Sequence, residues 1–235
     1  MHHSISQAAH LVKRAIRIVK GSDAWFPCDA GRRCVRVGYG YGAWDVVPSL
    51  IGKGDLAFCF GMGKEITLET ELARRFGMDV HAFDPTPESL EWVATQQLPS
   101  RMHVHPVGIA DRDGILEFAA PRAVGEVSLS AIRAEGAGNP VRLNVSTLDT
   151  LMVTHSGGRP LVLLKMDVEG SEYAVINHLV ASNIRPKQLL VEFHHRFPEV
   201  GIGATKRAVQ QLRDVGYRVA RVSASGEEFT FVLNS

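Results

Sequence analysis

The chain has 235 residues, of which 45% are hydrophobic and 22% charged, with a net charge of +1. That composition is ordinary for a globular protein and supports a sizeable core without disulfide or metal staples. A near-neutral chain with no basic stripe is not built to bind duplex DNA through its phosphates, so no nucleic-acid partner is expected. Three cysteines, Cys28, Cys34 and Cys59, cannot all pair among themselves, and Cys59 lies in an apolar run as a small buried hydrophobe would. The first twenty residues mix charged and apolar positions and show no uninterrupted apolar core. No secretory leader or membrane span is therefore expected, and a cytoplasmic location is.

Residues 5–20 carry Ile5, Ala8, Ala9, Val12, Ile16 and Val19 at helical spacing, which turns Lys13, Arg14 and Arg17 toward solvent. Residues 21–54 are rich in turns. Residues 1–54 thus read as a helical and irregular extension, and residues 55–235 as the main domain. "DLAFCF" begins the regular pattern as a buried strand. "GMGK" is a tight turn, and a helix runs to Gly77. "MDVHAFD" is the second strand, ended by Pro85, and "PESLEWVATQQL" the second helix. "RMHVHPVGIA" and "ILEFAA" flank "DRDG", a hairpin signal. Residues 119–140 form a long irregular stretch, a candidate substrate lid. "LVLLKMD", "SEYAVINHLVAS", "KQLLVEFHH" and "TKRAVQQLRDVG" continue the strand–helix alternation, and "YRVARVSASGEEFTFVLN" closes it as a hairpin. The order predicts an α/β fold: a mostly parallel sheet with helices on both faces and a C-terminal antiparallel hairpin.

Three features point to a site. Phe60, Gly61, Met62 and Gly63 join the first sheet strand to its helix, where glycines let a ligand approach the main chain. Asp84 ends the second strand 21 residues after Gly63, placed to accept hydrogen bonds from ribose hydroxyls or to cap the next helix. A dinucleotide fingerprint would want a small residue three positions after Gly63, and Ile66 stands there. Finally, Asp167, Glu169 and Glu172 crowd the end of a core strand. Ligands of open α/β sheets sit beyond the carboxyl ends of the strands, so Asp167 reads as functional. Glu172, in the first turn of a helix, reads as structural. Lys165 alternates in phase with Asp167. At the end of the next strand Glu192 and His194 share a face, and a histidine with carboxylates suits a general base or an oxygen-ligated divalent cation. Tyr39, Tyr41 and Trp44 are candidate walls of a pocket or parts of an aromatic core.

"LLKMDVEGSE", residues 163–172, resembles the signature of the FkbM-type methyltransferases. "CFGMGKE", "HAFDPTP" and "VHPVGIADRDGILEF" are similar to further segments of that family, in order, over roughly residues 38–195. Cys59 stands where many class I enzymes carry an acid. The resemblance implies a class I, Rossmann-like, seven-stranded methyltransferase fold. It also implies S-adenosyl-L-methionine as cofactor and O-methylation of a hydroxyl on a sugar-like or polyketide-like small molecule. Cofactor contacts then fall to Phe60, Gly61, Gly63, Asp84, Pro85, Gly108 and Ile109, and chemistry to Asp167, Glu169 and His194, with the base role open between Asp167 and His194. Two other readings share the glycine turn and Asp84: an NAD(P)-dependent oxidoreductase and a catalytically silent binding module. A divalent cation is compatible with the carboxylates, without a complete ligand set.

Overall fold

A computed structural model describes residues 7–118 and 140–234. All but Pro140 of the expected lid lies outside them. The main sheet is built from β3 (Leu56–Phe60), β4 (Asp79–Phe83), β5 (Met102–His105), β9 (Leu161–Met166), β10 (Gln188–Glu192), β11 (Tyr217–Val222) and β12 (Glu228–Leu233). The spatial order is β11-β12-β10-β9-β3-β4-β5. Only β12 runs against its neighbours, pairing antiparallel with both β10 and β11. This is the mostly parallel sheet with a closing antiparallel hairpin expected from the alternation, with the seven strands that the resemblance implies.

Every residue of β3 is buried, which is why it reads as an unbroken apolar run. Its side chains alternate between two cores. Leu56, Phe58 and Phe60 face the core covered by α4 (Leu148–His155), α5 (Glu172–Ala181) and α6 (Ile202–Asp214). Ala57 and Cys59 face the other, covered by α2 (Thr67–Arg74), α3 (Pro87–Val93) and a short hairpin, β1 (Val35–Val37) with β2 (Trp44–Val46). Each large side chain buried this way contributes about 1.5–3 kcal/mol. The hairpin also satisfies a polar group inside the sheet. Gln188, fully buried on β10, accepts from the Val47 amide at 3.0 Å.

Three sequence expectations change. The "DRDG" turn does not close a two-stranded hairpin. β6 (Gly108–Ile109) and β7 (Gly114–Phe118) each pair with β8 (Val141–Ser146), which lies between them. β8 takes that slot because Leu143 and Val145 alternate inward and close a small core with Ala110 and Phe118. The helix α1 (Gln7–Val19) keeps Lys13 in solvent as expected but departs from the expected orientation elsewhere. Arg14 is buried, while Leu11, Val12, Ile16 and Val19 are exposed. Arg14 goes inside because it has partners there: the carbonyls of Ala24 and Ser223 at 3.1 and 3.2 Å, and the buried Asp23. Tyr39 and Tyr41 are exposed and do not line the cleft formed at the strand ends, and Trp44 is a core residue. No helix among the described residues is long and apolar enough to cross a membrane.

Candidate active site

The carboxyl ends of β3, β4 and β9 meet at one cleft enclosing about 760 Å³, open solvent at its mouth included. Its lining mixes apolar walls with a few polar groups, the make-up of a small-molecule site. Phe60, Gly61, Gly63, Asp84, Pro85, Gly108 and Ile109 all line it, as do Asp167 and Glu169. His194 is not among the lining residues but touches two that are near it. Phe83, Phe118 and Leu143 add apolar wall that nothing in the sequence singled out. Phe118 and Leu143 arrive through the β7–β8 pairing, a long-range contact that local patterning does not reveal.

The glycine turn is held by backbone geometry. Gly61 has φ +77°, and a Cβ there would lie 1.7 Å from the carbonyl oxygen of Asp167. Its N–H donates to Phe83 O at 3.0 Å. Its carbonyl accepts from the Lys165 ammonium at 2.8 Å. Gly61 is therefore glycine because the β9 backbone passes against it. Gly63, at φ +53°, has open space where a Cβ would be and borders the cleft.

Asp84 is buried and already employed. Oδ1 accepts from the Thr86 amide and hydroxyl at 2.9 and 2.7 Å, and Oδ2 accepts from the Gly63 amide at 2.9 Å. Asp84 thus holds the glycine turn and the Thr86 residue that opens α3 without capping the helix itself, and Oδ2 retains acceptor capacity.

At the end of β9 the carboxylates of the signature share cations. Lys165 Nζ lies 3.8 Å from Asp167 Oδ2. Burial works against the Lys165 charge, but Asp167, Glu69 and Glu192 outweigh it and raise its pKa above the ordinary lysine value. Glu169 sits in the turn with φ +48°, a conformation that costs a non-glycine residue about 1–3 kcal/mol and clusters at functional sites. His194 Nε2 lies 3.4 Å from Glu169 and 3.8 Å from Asp167.

Glu172 is fully buried and binds more than the helix terminus. Oε2 accepts from the Gly170 amide at 2.8 Å. Oε1 accepts from the His194 amide at 2.8 Å and faces its Nδ1 at 3.3 Å. Burial pushes the His194 pKa down, but Glu172, Glu169 and Asp167 outweigh it and raise it to about 10. His194 is thus an imidazolium at neutral pH. The Glu192 carboxyl is also pushed up, to about 8, first by burial and then by Asp167.

Glu172→Gln removes the charge closest to the His194 ring. The His194 titration, followed by NMR, is expected to fall from about 10 toward the ordinary histidine range. The folded value exceeds the unfolded one of about 6.5, so this stabilisation is complete below that pH and is lost as pH rises toward about 10. The melting difference between wild type and variant is therefore largest in acid to neutral solution and shrinks in alkali. A His194 titration unmoved by the substitution would contradict the assignment. The loss exceeds a helix-terminus effect of about 0.3–1 kcal/mol, because a buried pair is broken.

Asp167, Glu169 and His194 offer ligand atoms within 4.8 Å of one another, a mixed set that could hold a divalent cation. A cation there has to displace the His194 proton.

The methyltransferase FkbM domain profile matches residues 61–219, more than half of the chain. The chain belongs to the FkbM methyltransferase family. Membership sets the oxidoreductase reading aside. Solved structures that the chain is similar to include an FkbM methyltransferase from Methylobacillus flagellatus, at 15% identity, covering 77% of this chain and 43% of that one, with a TM-score of 0.45. Fibrillarin from Aeropyrum pernix, with natively bound S-adenosyl-L-methionine, matches at 8% identity over 86% of this chain and 82% of its own, TM-score 0.44. Human methyltransferase-like protein 13, in complex with SAH, matches at 17% identity over 80% and 76%, TM-score 0.42. The chain spans less than half the length of the Methylobacillus protein. No curated protein matches it significantly.

Proposed function

We propose that the chain is an S-adenosyl-L-methionine-dependent O-methyltransferase acting on a hydroxyl of a sugar-like or polyketide-like small molecule. One observation carries the reading: a single cleft holds both Asp84 and the Asp167–Glu169 carboxylates, with the Gly61 turn between them. The residues fit the cofactor. Asp84 Oδ2 retains capacity for a ribose hydroxyl, Phe83 and Ile109 offer apolar walls for a base, and the carboxylates complement a sulfonium. When bound, S-adenosyl-L-methionine supplies an activated methyl group on a cationic sulfur.

The protein's own part is to place the acceptor and take its proton. Asp167 lies at the strand end, part-exposed and lining the cleft, which supports a role facing the acceptor. As base it accepts the hydroxyl proton while Lys165 and His194 hold its position. A base of this kind contributes about 10²–10⁴ in rate. His194, already protonated, is a charge partner to the carboxylates and not the base. The strained Glu169 keeps its carboxylate at the rim.

A labelled-methyl assay over a panel of sugars and polyketide alcohols tests the reading. Transfer to a hydroxyl supports it. Transfer only to nitrogen or carbon nucleophiles contradicts the O-methylation part. Asp84→Ala is expected to weaken S-adenosylhomocysteine binding by about tenfold or more, from loss of a charged acceptor of about 1.5–3 kcal/mol. The variant also melts lower, because the Thr86 and Gly63 donors lose their partner. Undiminished affinity would remove Asp84 from the cofactor site.

A further inference from the structure

At the β5 edge of the sheet, three histidines converge outside the methyltransferase cleft. β4 and β5 pair with His81 opposite His103 and Phe83 opposite His105, so these side chains share one face. His155, the last residue of α4, reaches the same spot. His81 Nδ1 lies 2.9 Å from His105 Nε2, and the two rings stack at 5.0 Å with 5° between their planes. The His155 ring centroid is 4.1 Å from that of His105 and 5.7 Å from that of His81. One nitrogen from each of the three lies within 4.8 Å of the other two. Phe58 and Phe83 pack against the cluster from within. His81 is buried, while His105 and His155 are half-buried, so the cluster is open to solvent on one side.

Hydrogen bonding alone explains only one pair, since His81 and His105 need each other as donor and acceptor. It does not explain a third imidazole at the same point. Three imidazole nitrogens without a carboxylate form a donor set for borderline transition metals, not for Mg²⁺ or Ca²⁺. Tetrahedral Zn²⁺ with bonds of about 2.0–2.1 Å wants nitrogens about 3.3 Å apart. His81 and His105 are slightly inside that separation, and rotation of His155 at the helix end closes the third side. Burial first, then the neighbouring histidines, holds the pKa values of His81 and His105 down at about 4. Asp79 is nearby but already serves Arg159 at 2.7 Å and His103 at 3.3 Å.

We propose that His81, His105 and His155 bind a Zn²⁺-class divalent metal that pins the end of α4 to the edge of the sheet. None of the three histidines lines the cleft, although Phe83 touches both places, and three protein ligands leave a fourth position for water. The test is calorimetric titration of chelator-treated full chain with ZnCl₂, with thermal melts run in parallel. The expected result is one zinc per chain at this cluster and a melting temperature that climbs with free zinc, as ligand binding to the folded state requires. His155→Ala, at a half-buried helix end where the fold tolerates it, is expected to weaken zinc at least tenfold and abolish the thermal shift. His105→Gln is expected to do the same. Cobalt in place of zinc is expected to show the visible bands of a tetrahedral, nitrogen-ligated ion, lost in both variants. Absence of zinc binding overturns the proposal. So does zinc binding unchanged in His155→Ala, which would place the metal at the Asp167–Glu169–His194 cluster or elsewhere.

Discussion

Asp167→Asn is expected to lower methyl transfer by at least about 10²-fold, the loss of a general base, while the melting temperature moves little. Asparagine keeps the shape of the side chain and the backbone carbonyl that Gly61 packs against. What it loses is the charge that faces Lys165 and His194, each at 3.8 Å. The Asp167 side chain is 30% exposed, so those pairs are partly screened and contribute at most about 1 kcal/mol. Measured as kcat in the labelled-methyl assay, the loss separates chemistry from binding. Full transfer by Asp167→Asn together with a dead His194→Ala would move the base to β10. Full activity in both would make the carboxylate cluster a solvated strand end with no chemical role.

Gly61→Ala is expected to have the largest effect on the fold and the cleft together. The new Cβ meets a backbone carbonyl at 1.7 Å, so no side-chain rotation relieves it. The ends of β3 and β9 have to part, which costs about 1–3 kcal/mol as overpacking on top of about 1–2 kcal/mol for a left-handed non-glycine. The variant is expected to melt lower and to lose S-adenosylhomocysteine binding. Gly63→Val behaves differently. It carries the conformational cost, but its Cβ enters open space beside the cleft, so binding falls more than stability. Equal melting of Gly61→Ala and wild type would show that the β3–β9 approach is not what requires the glycine.

Much of this architecture was legible in the chain because its signals are local. β3 and β9 are buried on both faces and read as continuous apolar runs. Gly61, Asp84 and Asp167 fall at strand ends, where this topology gathers ligands. What escaped depends on distant partners. Arg14 reads as solvated until Asp23 and the Ser223 carbonyl are brought beside it. The "DRDG" turn reads as a hairpin until β8, from beyond residue 140, takes the place between its arms. The protonation of His194 follows from a buried carboxylate 22 positions earlier in the chain, and helical position alone made Glu172 look like a terminus residue. The three-histidine cluster joins β4, β5 and α4 across more than 70 residues, and no spacing rule links them.

On the proposed function, the cleft between Asp84 and Asp167 binds S-adenosyl-L-methionine. Calorimetric titration of the wild-type chain with S-adenosylhomocysteine, and then with NADH, tests it most directly. Saturable binding of the first, weakened by Asp84→Ala, and no binding of the second are expected. Tight binding of NADH alone would contradict it.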